Sequence, residues 1–341
     1  MSDAASELHR SAIVIDLHAD TLIPMRAMGY DIGLRHKNRI PRSPFFFHCD
    51  LPRFRDGGAT GQFFGLVTNP YPEAGCADAT YRQIEILESA AREYEKEMFI
   101  ATTGDDLRRA KREGKLASFM GIEGAHALEG ETKHLARLHA RGVRYIGLAH
   151  FTANKVAPCV FGIGASATAG LTEHGREVVA EMNRLGILVD LAHVGRAAFF
   201  DSVKLAKRPV IVSHTGVVGA FPHWRNLDDE QIRAVAETDG VIGIIFAATF
   251  LGKGRHNATL VIDHMEHVRR TVGARHVALG SDFDGFITPC AGLEDVAKLP
   301  VITELLLARG WSADEILGML GGNVLRVLDT LGSVGRIIAS E

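Results

Sequence analysis

Short apolar segments rich in valine and isoleucine alternate along the chain with segments whose apolar residues recur at helical spacing. Eight segments have the length and β-branched composition of buried strands: residues 12–18, 61–67, 117–124, 143–150, 187–193, 209–215, 241–246 and 277–282. The clearest helical patterns lie at 79–97, 172–186, 227–240 and 261–274. Strand followed by helix, repeated around the chain, predicts an α/β fold of the (β/α)8 type.

A doubly wound parallel sheet is the alternative architecture, and it favours a glycine-rich turn after the first strand. That strand is followed by "HADTL", and "FGIGASATAG" at 161–170 follows no predicted strand, so no nucleotide cofactor is expected. Near the C-terminus Ser312 stands three residues before Glu315, a capping-box spacing that predicts terminal helices packed on the barrel. The length of 341 residues suits one barrel domain over residues 1–341.

Composition narrows the class of protein. The formal net charge is -3 and basic residues are dispersed among acidic ones, so nucleic acid is not an expected partner. No signal-like N-terminus is present and no apolar run reaches the roughly 18 residues of a membrane span, which predicts a soluble, cytoplasmic protein without membrane contact.

The cysteines lack CxxC spacing, which predicts buried thiols. They are Cys49, Cys76, Cys159 and Cys290. A homodimer is among the assemblies left open.

Ionisable residues stand at the ends of the predicted strands, where barrel enzymes carry their chemistry. His18 and Asp20 close the first strand, and alternate residues of a strand point to the same face. Later strands end in Glu123, His150, His193, His214 and Asp282. Each residue alone could be a helix cap or a buried core histidine. Structural roles give no reason for all of them to stand at corresponding strand ends, so a functional cluster is the preferred interpretation.

Imidazole and carboxylate donors suit zinc or a similar divalent ion. The metal-ligating candidates are His18, Asp20, Glu123, His193 and His214. This set exceeds the three protein ligands of a single catalytic zinc. Two divalent ions, most simply Zn²⁺, with a bridging carboxylate fit it better. In "GSDFDG" at 280–285, Asp282 is expected to act in the chemistry, whereas Asp284 is expected to form an Asx-type turn.

Motifs spread over nearly the whole chain carry a family resemblance: "IDLHADTL", "GATGQFFG", "GVRYIGLAHF", "ILVDLAHV", "RPVIVSHTG", "GSDFDG" and "GGNVLRVL". With them the chain resembles the membrane (renal) dipeptidases and their bacterial relatives, within the amidohydrolase-like barrels. The resemblance implies a binuclear zinc centre. His18 and Asp20 would bind one ion, His193 and His214 would bind the other, and Glu123 would bridge the two.

The resemblance also implies roles on the substrate side. His150 would polarise the scissile carbonyl, and Arg225, in "HWRN", would bind the terminal carboxylate of the substrate. A forked guanidinium suits that task. Segments 151–162 and 215–224 depart from the family's usual pattern, which leaves the metal centre intact and the identity of the substrate open.

The expected activity is hydrolysis of the amide bond of a dipeptide, with Asp282 transferring the proton to the leaving amine and His150 stabilising the oxyanion. By resemblance, a D-residue at the C-terminal position is tolerated. One alternative is the same centre acting on an N-acyl amino acid, a lactone or a phosphoester. A second is a metal-binding protein without catalysis, against which the retention of Asp282 beside all five ligand candidates argues.

Overall fold

The computed structural model describes residues 1–37, 43, 45–68, 74–254 and 256–331. In this part of the chain one parallel sheet contains strands β1 (Ile15–Ala19), β2 (Gly61–Val67), β3 (Met98–Ile100), β4 (Leu116–Glu123), β5 (Val143–Gly147), β6 (Leu188–Asp190), β7 (Ile211–Thr215), β8 (Val241–Ile244) and β9 (Val277–Leu279). All but β3 close into a barrel, because β2 pairs with β1 and β4, and β4 to β9 lead in order back to β1. The predicted (β/α)8 fold is confirmed and the doubly wound alternative is wrong.

The strand boundaries differ from the predicted ones in a consistent way. Strand β3 was not predicted, because three residues are too few for a periodic pattern, and it pairs only with the beginning of β4. Strands β5, β6 and β9 each end three residues before the predicted limit. At these positions the chain leaves the sheet, and the residues that follow place polar side chains at the end of the barrel. His193 and Asp282 adopt left-handed φ angles of 64° in these exits, a conformation incompatible with a continuing strand.

Helices surround the barrel and cover its strands. They are α1 (Asp3–Ser11), α2 (Leu22–Met28), α3 (Leu51–Asp56), α4 (Cys76–Glu93), α5 (Gly104–Glu113), α6 (Lys133–Ala140), α7 (Glu173–Leu185), α8 (Arg196–Leu205), α9 (Asp229–Glu237), α10 (Ala248–Leu251), α11 (Thr259–Val272), α12 (Pro300–Ala308), α13 (Ala313–Leu317) and α14 (Asn323–Asp329). Short 3₁₀ turns lie at Ala125–Leu128, Ala274–His276 and Val296–Lys298, and a π-helical turn, Gly318–Gly322, joins α13 to α14. The predicted helical patterns correspond to α4, α7, α9 and α11.

Local sequence signals account for several helix ends. The Thr172 side chain accepts a hydrogen bond from the Gly175 N–H and begins α7, while Gly186, at φ 77°, ends it in the left-handed conformation that favours glycine. The capping box of Ser312 and Glu315 is confirmed at the start of α13. These ends set the lengths of the helices that pack on the barrel.

Two apolar layers hold the fold together. The larger layer lies between the strands and the surrounding helices, and the smaller one fills the barrel. Helix α14 contributes Val324, Val327 and Leu328 to the inner layer, where they pack with residues such as Ile15 and Leu188. The terminal helix therefore packs on the barrel, as predicted, and it closes the N-terminal end, so that the opposite end remains for a site.

Two further predictions concern the thiols and the membrane. All four cysteines are buried as thiols. Among the described residues, no helix combines the length and the apolar character that crossing a bilayer requires.

Candidate metal centre and active site

The predicted site residues converge at the C-terminal mouth of the barrel, where they form two groups. The first, termed here the carboxylate half, consists of His18, Asp20 and Asp282. The His18 Nε2 atom lies 3.2 Å from Asp20 Oδ1 and 3.9 Å from Asp282 Oδ1. All three residues are buried. Three donor atoms of this half lie within 4.8 Å of one another, a spacing suited to one metal ion.

The second group, termed here the imidazole half, consists of His150, His193 and His214. The Nε2 atoms of His193 and His214 lie 2.9 Å apart, and that of His150 lies 3.5 Å from Glu123 Oε1. Glu123 stands between the halves. Its Oε1 atom is 3.1 Å from His193 Nε2 and 3.4 Å from His214 Nε2, while its Oε2 atom is 3.7 Å from His18 Nε2.

Two buried aspartate–serine pairs fix the loops that carry these residues. Asp16 accepts hydrogen bonds from the Ser281 N–H at 2.9 Å and from the Ser281 hydroxyl, which joins the end of β1 to the loop after β9. Asp190 accepts from the Ser213 N–H at 2.8 Å and from its hydroxyl at 2.7 Å, which joins β6 to β7. Burial raises the pKa of both aspartates, and the donated hydrogen bonds oppose that rise. Sequence analysis missed both pairs.

Hydrogen bonds orient two of the imidazole rings. The Tyr145 hydroxyl donates to the Leu17 carbonyl at 3.1 Å, so it accepts from His18 Nδ1 at 2.8 Å. The Ser213 hydroxyl donates to Asp190, so it accepts from His214 Nδ1 at 3.0 Å. In both rings Nδ1 is therefore the donor, and Nε2 faces into the site. This second layer of contacts is what metal-ligating histidines require.

The buried atoms of the site fit divalent cations. Within the described ranges, His18 Nε2, Asp20 Oδ1 and Glu123 Oε2 are buried and have no hydrogen-bond partner. Buried polar atoms rarely lack a partner in proteins, and a cation would satisfy all three. Two glycines make room for the carboxylates, since a Cβ atom on Gly65 would lie 2.3 Å from Asp20 Oδ1 and one on Gly285 would lie 2.5 Å from Asp282 Oδ1.

Protonation in the imidazole half also favours metal binding. Burial lowers the pKa of His193 and His214 well below the usual value, which favours the neutral imidazoles that can bind a metal ion. Burial would raise the pKa of Glu123, but the neighbouring His150 and His18 outweigh it and hold the pKa well below its ordinary value. A charged carboxylate beside the neutral imidazoles of His193 and His214 is a donor set that suits zinc.

The carboxylate half carries an excess of negative charge. Burial and the charge of Asp20 raise the pKa of Asp282 well above its usual range. Burial alone would lower the pKa of His18, but Tyr145, Asp20 and Glu123 together raise it well above the ordinary value. A divalent cation in this half would compensate the charge of the clustered acids.

The predicted substrate residues, His150 and Arg225, line a cavity of about 440 Å³ that adjoins both halves. Arg225 is buried, and its Nη2 atom donates to the His214 carbonyl at 2.7 Å, while its Nε atom has no partner among the described residues. Burial lowers the pKa of Arg225 to about 10, so the guanidinium keeps its charge at neutral pH. A buried cation with an unused N–H is suited to bind an anionic group of a ligand.

One minor expectation concerns Asp284, which was expected to form an Asx-type turn. Asp284 does not act as a simple turn residue. Its carboxylate accepts from the Thr21 hydroxyl at 2.7 Å and the His48 N–H at 2.8 Å, which locks the loop after β9 against the start of the chain. In the aromatic segment 44–48, Phe45 and Phe46 pack against Phe286 at the rim, whereas residue 44 lies outside the described residues.

The fold and this donor set are those of a metal-dependent hydrolase built on a barrel. The family model of membrane dipeptidases, peptidase family M19, matches residues 2–340, and the chain belongs to this family. It is 36% identical to dipeptidase tcpJ of Claviceps purpurea over 324 residues, which is 92% of this chain and 76% of the relative. The predicted class of enzyme, a metallo-dipeptidase that uses divalent metal, is confirmed.

Solved structures support the same assignment. A metallopeptidase of Rhodobacter sphaeroides, bound to a phosphinate mimic of the dipeptide L-Ala-D-Ala, has a TM-score of 0.83 and 27% identity over 94% of this chain and 99% of its own. Dipeptidase AC, a metallopeptidase, has a TM-score of 0.82 and 28% identity over 94% and 98% of the two chains. Both similarities extend over the barrel and its surrounding helices.

Proposed function

We propose that the protein is a binuclear metallohydrolase, with zinc as its metal, that cleaves the amide bond of dipeptides. In this proposal His18 and Asp20 bind one ion, His193 and His214 bind the other, and Glu123 bridges them. The observation that carries the proposal is the placement of Glu123, whose Oε2 atom faces His18 Nε2 at 3.7 Å while Oε1 faces His193 Nε2 at 3.1 Å. A bridging carboxylate is the usual link in two-metal hydrolytic sites.

Arg225 orients the substrate in this proposal. Its guanidinium lies beside the imidazole half, bonded to the His214 carbonyl, and its unpartnered Nε–H is free to bind the terminal carboxylate of a dipeptide. That contact would direct the scissile amide over Glu123. Arginine suits a carboxylate because it donates two parallel hydrogen bonds from a rigid plane.

Two further residues act on the reacting amide. Bound divalent ions would supply Lewis-acid polarisation of the carbonyl and a water of lowered pKa. His150 donates a hydrogen bond to the carbonyl oxygen as negative charge develops on it. Asp282 accepts a proton and delivers it to the nitrogen of the leaving amine, a role for which a raised pKa is favourable. The carboxyl group of Asp282 lies close enough to His18 to serve the same reaction centre.

Tolerance of a D-residue at the C-terminal position is part of the proposal. It is supported by the related metallopeptidase of Rhodobacter sphaeroides, whose bound ligand mimics L-Ala-D-Ala. The cytoplasmic location, the homodimer and the extent of the single domain over residues 1–341 stay predictions.

The test measures hydrolysis by zinc-loaded protein of L-Ala-L-Ala, L-Ala-D-Ala, the C-terminal amides of these two dipeptides, and N-acetyl-alanine. We expect both free-acid dipeptides to be cleaved, with the dipeptide amides and the acyl amino acid much poorer. Preferential cleavage of N-acetyl-alanine would favour the acyl amino acid alternative, for which Arg225 would provide the same anchor. No cleavage of any amide by protein that holds its metals would contradict the proposal.

A further inference from the structure

We infer that the cavity selects dipeptides whose N-terminal residue carries a large apolar side chain, and that Phe286 is its main contact. The inference rests on the proposed function, because the carboxylate bound by Arg225 sets the direction in which the substrate lies. It goes further by assigning a side-chain class to the N-terminal residue of the substrate.

Apolar residues from a helix, a strand end and a loop line the cavity together with Asp20 and Asp282 of the carboxylate half. Ile23 lies one helical turn after Asp20, to whose carbonyl its N–H donates at 2.8 Å. Val67 ends β2 in register with Glu123, and Phe286 follows Gly285, the residue packed against the carboxylates of Asp20 and Asp282. All three apolar side chains line the cavity.

The opposite end of the cavity holds the cation. Arg225 is bonded to the carbonyl of His214, and the nearby His223 stacks on Phe250 with ring centroids 4.6 Å apart. A dipeptide with its carboxylate at Arg225 and its scissile carbonyl over Glu123 therefore extends its N-terminal residue toward the carboxylate half. The N-terminal side chain then meets the apolar surface formed by Ile23, Val67 and Phe286, while the amine lies near the acidic groups.

Phe286 lies at the mouth of the cavity, where a bound apolar side chain would cover its exposed ring. Its side chain is 58% exposed, and its φ of 60° lies in the left-handed region that phenylalanine rarely adopts. The chain is anchored on both sides, by the Asp284 N–H to His48 Nδ1 at 2.8 Å and by the Ala248 N–H to the Thr288 carbonyl at 3.0 Å. Exposed apolar residues and strained backbone both concentrate at binding sites.

The surroundings of Phe286 keep its ring in place. Phe46 packs against it edge-on with ring centroids 4.9 Å apart, and Phe45 does so at 6.0 Å. A pre-positioned aromatic surface loses little conformational entropy when it contacts a ligand. An added methylene in an apolar pocket changes kcat/KM by about 10-fold to 200-fold. A leucine side chain should therefore give an advantage of at least about 10-fold.

The test compares two substrates of identical composition, Leu-Gly and Gly-Leu, with Gly-Gly as the reference. Both carry the same free carboxylate, so only the position of the side chain differs. For zinc-loaded wild-type protein we expect kcat/KM for Leu-Gly to exceed that for Gly-Leu by at least about 10-fold. In Phe286→Ala this ratio should fall to within about three-fold of one, and Phe286→Leu should retain most of it. Leu34→Ala, which removes a similarly exposed apolar side chain that does not line the cavity, should leave the ratio unchanged.

The possible failures are distinguishable. Cleavage of the dipeptides with a ratio near one, or with Gly-Leu preferred, would overturn this inference and leave the dipeptidase proposal standing. A wild-type ratio that Phe286→Ala does not change would overturn the assignment to Phe286. Cleavage of none of the three dipeptides would overturn the proposed function and this inference together.

Discussion

The two halves of the site are supported by the same kind of hydrogen-bonded pair, but they offer a metal ion different surroundings. In each half a buried aspartate binds a serine on the neighbouring strand or loop, Asp16 with Ser281 and Asp190 with Ser213. The carboxylate half adds two acids to one imidazole, whereas the imidazole half gathers neutral rings and lies next to Arg225. The fold therefore supplies equivalent supports in the two halves, and the side chains at the strand exits supply the difference in charge.

This difference gives Glu123 its importance. The imidazole half consists of histidines, so in the proposed centre the charge of a cation there would be compensated by Glu123. The carboxylate half already holds Asp20 and Asp282. Variants that act on the shared residue, on one half or on the supporting pairs should therefore have graded effects.

The largest effect is expected for Glu123→Ala, because it removes the only residue shared by both halves in this account. Both ions should bind weakly, and dipeptide hydrolysis should fall by about 10⁴-fold or more, beyond the usual contribution of an acid–base residue. Elemental analysis and turnover measure the two effects. Glu131→Ala changes an exposed glutamate and should alter neither. Full metal content in Glu123→Ala would remove the bridge from the account.

The next effect concerns proton transfer in the carboxylate half. Asparagine tolerates the left-handed φ of 64° at position 282, so Asp282→Asn should keep the fold and the metals. Turnover should fall by about 10²-fold to 10⁴-fold, the usual contribution of a positioned acid–base group.

Asp284→Asn is the matched control for this variant. It weakens the buried contacts with Thr21 and His48, and it should lower thermal stability more than turnover. If Asp282→Asn turned over normally while Asp284→Asn did not, the proton-transfer role would move to Asp284.

The substrate anchor of the imidazole half gives a smaller, substrate-dependent effect. Arg225→Ala should cost about 2–5 kcal/mol in kcat/KM for free-acid dipeptides, as for loss of a buried hydrogen-bonded charge. Dipeptide amides should suffer little beyond their poor activity with the wild type. Arg225→Lys should restore activity only in part, because an ammonium cannot reproduce the guanidinium fork.

A matched control for the anchor is Arg196→Ala, which removes an arginine paired with Asp228 outside the catalytic cluster. It should leave the ratio of acid to amide cleavage as in the wild type. Equal losses for acids and amides in Arg225→Ala would make Arg225 a structural residue.

The smallest effect distinguishes the two aspartate–serine pairs themselves. The Ser213 hydroxyl contacts the His214 ring, so Ser213→Ala should weaken zinc binding by about 10-fold to 100-fold, as removal of a ligand's supporting hydrogen bond does. The Ser281 hydroxyl contacts Asp16 and the His18 carbonyl but no imidazole in the described structure, so Ser281→Ala should lower thermal stability and leave zinc affinity nearly unchanged. Competition with a zinc chelator measures both affinities. Equal affinity losses would show that the pairs act only through the fold.

The sequence was sufficient to predict the barrel and to bring the site residues together, for identifiable physical reasons. Buried parallel strands are continuous apolar runs, and a polar residue at the end of such a run is conspicuous. His18 and Glu123 stand out in this way. The exits after β5, β6 and β9 were predicted too long, because apolar residues continue past the last ladder hydrogen bond, as in "LVDLAH" before His193.

The supporting residues could not be predicted because their partners are distant in sequence. Asp16 and Ser281 are 265 positions apart, and Tyr145 reaches His18 from a strand 127 positions away. The available signal was a lone aspartate inside an apolar run, "IVIDLH" and "ILVDLAH", since a buried carboxylate requires donors. That signal shows that a partner exists without identifying it.

The most direct test of the binuclear account is a zinc titration of metal-free protein in competition with a chromogenic chelator, with elemental analysis of the saturated sample. The account predicts about two zinc ions per chain, as two-metal sites require, with dipeptide hydrolysis appearing only as the second site fills. In Glu123→Ala both binding steps should weaken together. Saturation at a single firmly bound ion that supports full hydrolysis would contradict the account.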